Sequence, residues 1–219
     1  MLTARRLLLI AALAIAFAGA ARADDWAGPQ VREVFSASRN YFVRVIPGTA
    51  IGDTVGFAGA PKGPFATAEF YRREPDRSYR LTVTVPLLNP VAPVDYFVSD
   101  AGRLVTVDNW HNRGYGIVLA LYDPAGKVVK AYALDELFAK AEIDSTPHSV
   151  SSRHWHDGPV YLNKDQRTMY MMIASGRDLI LDLETGGFAY CETRSGKYLC
   201  RNRNADRQWR PYAAAVPRG

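Results

Sequence analysis

Beyond its first two dozen residues, the 219-residue chain contains no apolar run long enough to span a bilayer, which needs about 20 such residues. It has only two cysteines and four histidines, so neither a dense disulfide scaffold nor a zinc-ribbon pattern is available. No phosphate-cradling loop, dinucleotide fingerprint or calcium-loop spacing occurs, and there is no G-x-S-x-G elbow. The formal net charge of +5 falls to +2 once Arg5, Arg6 and Arg22 are set aside with the N-terminal segment described next. That balance argues against nucleic acid as a partner.

At the N-terminus, Arg5 and Arg6 precede an uncharged apolar run from Leu7 to about Ala21, which ends in Ala21-Arg22-Ala23. This is the pattern of a secretory signal peptide with an A-x-A site. It predicts cleavage after Ala23, a mature chain from Asp24, a periplasmic or secreted location and no transmembrane segment after processing. Retention of the run as an uncleaved anchor is the other reading. The 196 residues from Asp24 suffice for one domain with its own core, expected over 24–203. An irregular basic tail over 204–219 follows; after Cys191 the chain carries seven Lys or Arg against Glu192 and Asp206.

The strongest structural signal lies between Val94 and Leu134. Val94 to Val98 leads into Ser99-Asp100-Ala101-Gly102 and then Arg103 to Val107; Ile117 to Tyr122 leads into Asp123-Pro124-Ala125-Gly126 and then Lys127 to Leu134. Alternating apolar runs joined by tight Gly-containing turns predict an antiparallel β-meander. Tyr41 to Ile46, Ala68 to Arg72 and Tyr79 to Val85 form a similar cluster, as do Val160 to Leu162, Thr168 to Ala174 and Leu179 to Leu183. The fold class expected is all-β, a meander of partial or degenerate propeller-like blades. Three blades do not close a ring, so an open arc, a sandwich and completion by a second copy all remain open. One short helix is expected over Leu134 to Glu142, with Leu134, Leu137, Phe138 and Ala141 on one face.

Cys191 and Cys200 flank a segment whose midpoint is Ser195-Gly196. A two-residue turn there pairs 191 with 200 directly, on a non-hydrogen-bonded rung where Cα atoms approach to about 4.5 Å. That spacing suits a disulfide, which is the expected state in an oxidising compartment.

All four histidines fall between 111 and 156. In a strand, His154 and His156 would share one face, about 7 Å apart, and His111 or Asp157 could complete a divalent metal site such as zinc. Loop contacts explain the same residues without any metal, and the favoured expectation is no cofactor. Asp108-Asn109-Trp110-His111 opens the glycine-flanked loop Asn112 to Gly116, offering an aromatic platform beside a carboxylate, an amide and an imidazole. With Arg153 and Trp155 across one rim, these residues suit a small molecule, a glycan or an envelope protein. The bland reading is that Asp and Asn satisfy turn backbones while Trp fills the core. Ser151, Ser152, His154, His156 and Asp157 contain the letters of a hydrolytic triad, although adjacency in sequence is not triad geometry.

Phe97 to His111 with Gly114-Tyr115-Gly116, Tyr122 to Lys127, and Ser149 to Arg153 with Trp155 resemble a group of uncharacterised exported bacterial proteins of propeller-like repeat character. The D-N-W-H-x-x-G-Y-G segment is the specific part. The resemblance implies a β-rich exported fold and carries over no catalytic or ligand residues. The sequence therefore supports a binding or interaction module first, a metal-dependent hydrolase or lyase using His111, His154 and His156 second, and a structural envelope protein third, with homo-oligomer formation open.

Overall fold

The computed structural model describes residues 27–202 and 210–211; the segment expected to be a signal peptide and most of the expected basic tail lie outside the described residues. Three antiparallel sheets stack face to face. The first contains β1 (Arg32–Phe35), β2 (Tyr41–Ile46), β3 (Thr67–Arg73) and β4 (Tyr79–Pro86), in that order. The second contains β5 (Pro93–Val98), β6 (Leu104–Asn109), β7 (Leu119–Tyr122) and β8 (Val128–Tyr132). The third contains β9 (His156–Leu162), β10 (Thr168–Ile173), β11 (Asp178–Asp182), β12 (Phe188–Arg194), β13 (Lys197–Asn202) and β14 (Arg210–Pro211).

Each sheet is a meander of sequence neighbours, as the turn spacing predicts. Gly102 and Gly126 both sit at φ +76°, a left-handed conformation that glycine adopts without a Cβ penalty and that the two β-hairpin turns of the middle sheet require. Asp123 Oδ1 accepts the Ala125 and Lys127 amides at 2.9 Å, which fixes the second of these turns.

The middle sheet explains the stack. β6 and β7 are buried along their whole length, the pattern of strands covered on both faces. One face, with Leu104, Ala120 and Tyr122, packs on Val43, Val45, Ala68 and Phe70 of the first sheet. The other, with Val105, Val107, Leu119 and Leu121, packs on Met169, Met171, Leu179 and Leu181 of the third. Successive side chains of one strand thus serve two cores. The result is an open stack of three blades, as an incomplete propeller would form.

The helical segment divides in two, where one helix is expected: α1 (Leu134–Leu137) and α2 (Lys140–Ser145). Phe138 is extended at φ −120° and ψ 156°, and its ring lies 5.9 Å from Trp155 and 6.0 Å from Tyr190. Burying that ring interrupts the helix. Leu134 and Leu137 enter the core as expected, but Ala141 is exposed and Ile143 packs in its stead.

The C-terminal hairpin matches the register expected of a turn at Ser195-Gly196. Cys191 pairs with Cys200 and Arg194 with Lys197, and the cysteines form a disulfide with Cα atoms 4.0 Å apart. Within the region expected to be an irregular tail, Arg210 and Pro211 instead pair with Cys200 and Leu199, because β13 would otherwise offer an open edge.

Tyr122 sits wholly inside the first interface, where its hydroxyl oxygen accepts the Leu88 amide at 2.9 Å. Burial pushes its pKa up to about 12, against about 10 in an unfolded chain. The stability this contributes is complete below pH 10 and is lost as pH rises toward 12, roughly 2–3 kcal/mol across the window. Urea titrations of the wild type and Tyr122→Phe at pH 9 to 12 should show a shallower alkaline decline in the variant; parallel curves would rule this group out.

Candidate functional site

Asp108, at the end of β6, is 1% exposed and adopts φ +57°. A buried carboxylate requires partners for both oxygens. Oδ1 accepts the Trp155 indole N–H at 2.8 Å and the Gly114 amide at 2.8 Å. Oδ2 meets His156 Nε2 at 3.0 Å and the Arg113 guanidinium Nε at 3.4 Å. Gly114 is required here: at φ +74° its place in the loop is left-handed, and a Cβ would stand 2.7 Å from the Cβ of Arg153.

His156 Nε2 also lies 3.1 Å from Arg113 Nη2. A guanidinium only donates, so the ring nitrogen cannot bond to both neighbours at once. The arrangement that satisfies Asp108 has Nε2–H donating to the carboxylate, since a bare lone pair would face an anionic oxygen. That leaves Nδ1 turned away from Asp108, and no hydrogen bond to it occurs among the described residues.

The cluster backs a cleft of about 480 Å³ where β5 of the second sheet faces β9 of the third. Asp95 and Phe97, two residues apart on β5, line one wall; Arg113 and His156 form the base; Asp157, Gly158 and Val160 line the other wall. Arg113 is offset by Asp108 beneath it, so Asp95 and Asp157 leave the opening acidic.

Asn109, also buried, holds the loop closed. Its Nδ2 donates to the Tyr115 carbonyl at 2.7 Å and the Ile117 carbonyl at 2.8 Å, and its Oδ1 accepts Asn89 Nδ2 at 2.8 Å. Asn112 joins three segments: Oδ1 accepts the Val55 amide, while Nδ2 donates to the Val55 carbonyl at 3.0 Å and the Ser151 carbonyl at 3.4 Å.

The residues singled out in sequence therefore divide. Asp108, Trp155 and His156 come together, but Trp155 is buried against Phe138 and His156 and Asn109 is buried among backbone carbonyls, so both act as framework. Trp110 donates its indole N–H to the Ala27 carbonyl at 3.1 Å, and the His111 ring lies 5.5 Å from that of Phe57. The Arg153 guanidinium donates to the Ile143 carbonyl and lies 6.0 Å from the Tyr115 ring.

His154 and His156 do not share a strand face, contrary to the expectation. β9 begins only at His156; His154 precedes it and is exposed, its amide held by the Pro147 carbonyl at 2.9 Å. His111 is engaged at Phe57, so the three imidazoles are dispersed, and no three His, Cys, Asp or Glu among the described residues are grouped to hold a metal ion. The cleft residues that sequence reasoning missed are Asp95, Phe97, Arg113, Gly158 and Val160; the i, i+2 spacing of Asp95 and Phe97 was the available signal. No family model matches the chain, and no curated protein matches it.

Asp108→Ala leaves the Trp155 and Gly114 N–H groups and Arg113 without their acceptor, and a cost of about 3–5 kcal/mol is expected in urea unfolding; a change under about 1 kcal/mol would show that the carboxylate is dispensable. Asn112→Ala should speed hydrogen exchange at the Val55 amide at least tenfold, the size of one lost hydrogen bond of about 1.4 kcal/mol. An unchanged Val55 rate would mean that the loop is held elsewhere.

Proposed function

We propose that the protein is an exported binding module that takes a small molecule in the cleft between the second and third sheets. The observation that carries this reading is the buried Asp108 fixing His156 and Arg113 at the base of a 480 Å³ opening. A buried charged cluster is costly to build, and concave sites with a few convergent polar groups are where ligands bind. With Asp95 and Asp157 at the opening, the ligand favoured is one rich in donors, an amine or a compact polyol. Export is supported by the N-terminal run and by the Cys191–Cys200 disulfide, which belongs to an oxidising compartment. No helix among the described residues is long and apolar enough to cross a membrane.

A second reading rests on the same 3.0 Å contact. A carboxylate that holds one imidazole nitrogen leaves the other as a base, so the pair could move a proton in the cleft without the ligand set of His111, His154 and His156. A structural envelope role is the third reading and needs no cleft at all.

Thermal melts against a panel of amino acids, polyamines and monosaccharides test the binding reading. A cleft ligand present at 100 times its Kd should stabilise the wild type by about 2.7 kcal/mol, and this shift should disappear in the Asp95→Ala, Asp157→Ala double variant. If no compound shifts the wild type, or if the double variant shifts equally, the cleft is not the binding site.

A further inference from the structure

The third sheet has a second face, turned away from the middle sheet. Met169, Met171, Leu179 and Leu181 point into the shared core, so alternation directs Tyr170, Asp178 and Ile180 the other way, where Ile180, Ala189 and the disulfide form a small apolar floor with Tyr170 against it. Tyr161 and Tyr170 are direct cross-strand partners, with rings stacked 4.9 Å apart at 22°. Asp178 accepts the hydroxyl of Tyr170 through Oδ1 and that of Tyr198 through Oδ2 at 2.6 Å. Tyr198 lies on β13, two strands from Asp178. The register sets Cys191 opposite Asp178 and Thr193 opposite Tyr198, so the Tyr198 side chain reaches the carboxylate on a diagonal, past the small side chain of Cys191, which is tied to Cys200.

These groups line an open trough of about 640 Å³ that ends at Asn163, Lys164 and Asp165. Tyr161 and Tyr198 are 44% and 39% exposed, so part of each ring in the trough lies open to a ligand. Both hydroxyl protons of Tyr170 and Tyr198 are committed to Asp178, so their oxygens face a ligand as acceptors. Burial and the adjacent Asp178 push the Tyr170 pKa up, which keeps that hydroxyl protonated. Asp178 and Asp165 outweigh Lys164, which disfavours anions. The nearest rings stack on one another and do not enclose a space, unlike the cages that hold quaternary ammonium groups.

We infer that this trough binds a neutral oligosaccharide, whose apolar C–H faces lie on the tyrosine rings and whose hydroxyls donate to the phenol and carboxylate oxygens. The site is separate from the cleft, and the two stand or fall independently.

Isothermal titration of the mature chain with cellohexaose, chitohexaose and maltohexaose, and with choline chloride as the cationic probe, tests it. Saturable binding of at least one hexasaccharide is expected, weakened about tenfold by Tyr161→Ala and by Tyr198→Ala, the size of one aromatic contact, and unchanged in the Asp95→Ala, Asp157→Ala variant. Tyr198→Phe keeps the ring, removes the hydroxyl and should weaken binding even where an alanine variant folds poorly. Three results overturn the proposal: no hexasaccharide binds; choline binds in their place; or sugar binding is lost in the cleft variant and retained in the tyrosine variants.

Discussion

A carboxylate sealed from water dictates its surroundings, and Asp108 does so for most of this molecule's polar architecture. It stands where the second sheet ends, and its partners come from the loop that follows it and from the start of the third sheet, 47 and 48 residues away. The donors to Oδ1 are a backbone amide and an indole, whose positions are set by the chain path and by core packing. Those to Oδ2 are groups that reach the cleft. The same anion therefore joins a structural half, which must stay closed, to a half that is open to a ligand. Its own backbone lies in the left-handed region, where Asp is among the few non-glycine residues tolerated.

The stacking of three sheets sets the second constraint. Because β6 and β7, the central strands of the middle sheet, are covered on both sides, polar groups leave them at the strand ends, where the Asp108 to Gly116 loop lies, while the less covered edge strand β5 brings Asp95 to the cleft. The outer sheets each retain one face toward solvent, and the chain equips them differently. The first carries a ladder in which Arg44 pairs with Glu33 at 2.7 Å and with Glu69 at 3.2 Å. Exposed pairs of that kind add little stability, but they keep an aromatic row, Phe35, Phe42 and Tyr71, on a charged surface that discourages pairing with other molecules. The third sheet's outer face carries tyrosines and a carboxylate instead, a surface that remains wettable and can still recognise something.

Sequence reasoning read local geometry well and tertiary choice poorly. The hairpin turns and the Cys191 to Cys200 register depend on a few neighbouring residues, and both appear in the structure as expected. The division at Phe138 depends on Trp155 and Tyr190, far along the chain, which no helical periodicity reports. β1 has a single half-buried apolar residue, Val34, and offered no alternation to read. The histidine pair was misplaced because strand alternation was extended two residues too early, into a stretch where the His154 amide bonds to Pro147. Of the D-N-W-H segment, the residue types suggested either a ligand-binding rim or turn and core contacts, and in the structure Asp108 and Asn109 make buried contacts. The residue types could not show that the carboxylate and the amide face inward, since the same letters serve a buried staple and an exposed rim.

The layered order of the sheets follows the order of the chain, and this constrains how the molecule is assembled. The first sheet can form from residues made early, but the middle sheet then has one apolar face covered and one bare until the third sheet, complete only near the C-terminus, is delivered. For that interval Val105, Val107, Leu119 and Leu121 face water on a strand pair too apolar to remain there unaided. Synthesis proceeds from the N-terminus, so the half-built stack is the species in which the chain is most exposed to aggregation and most in need of a chaperone.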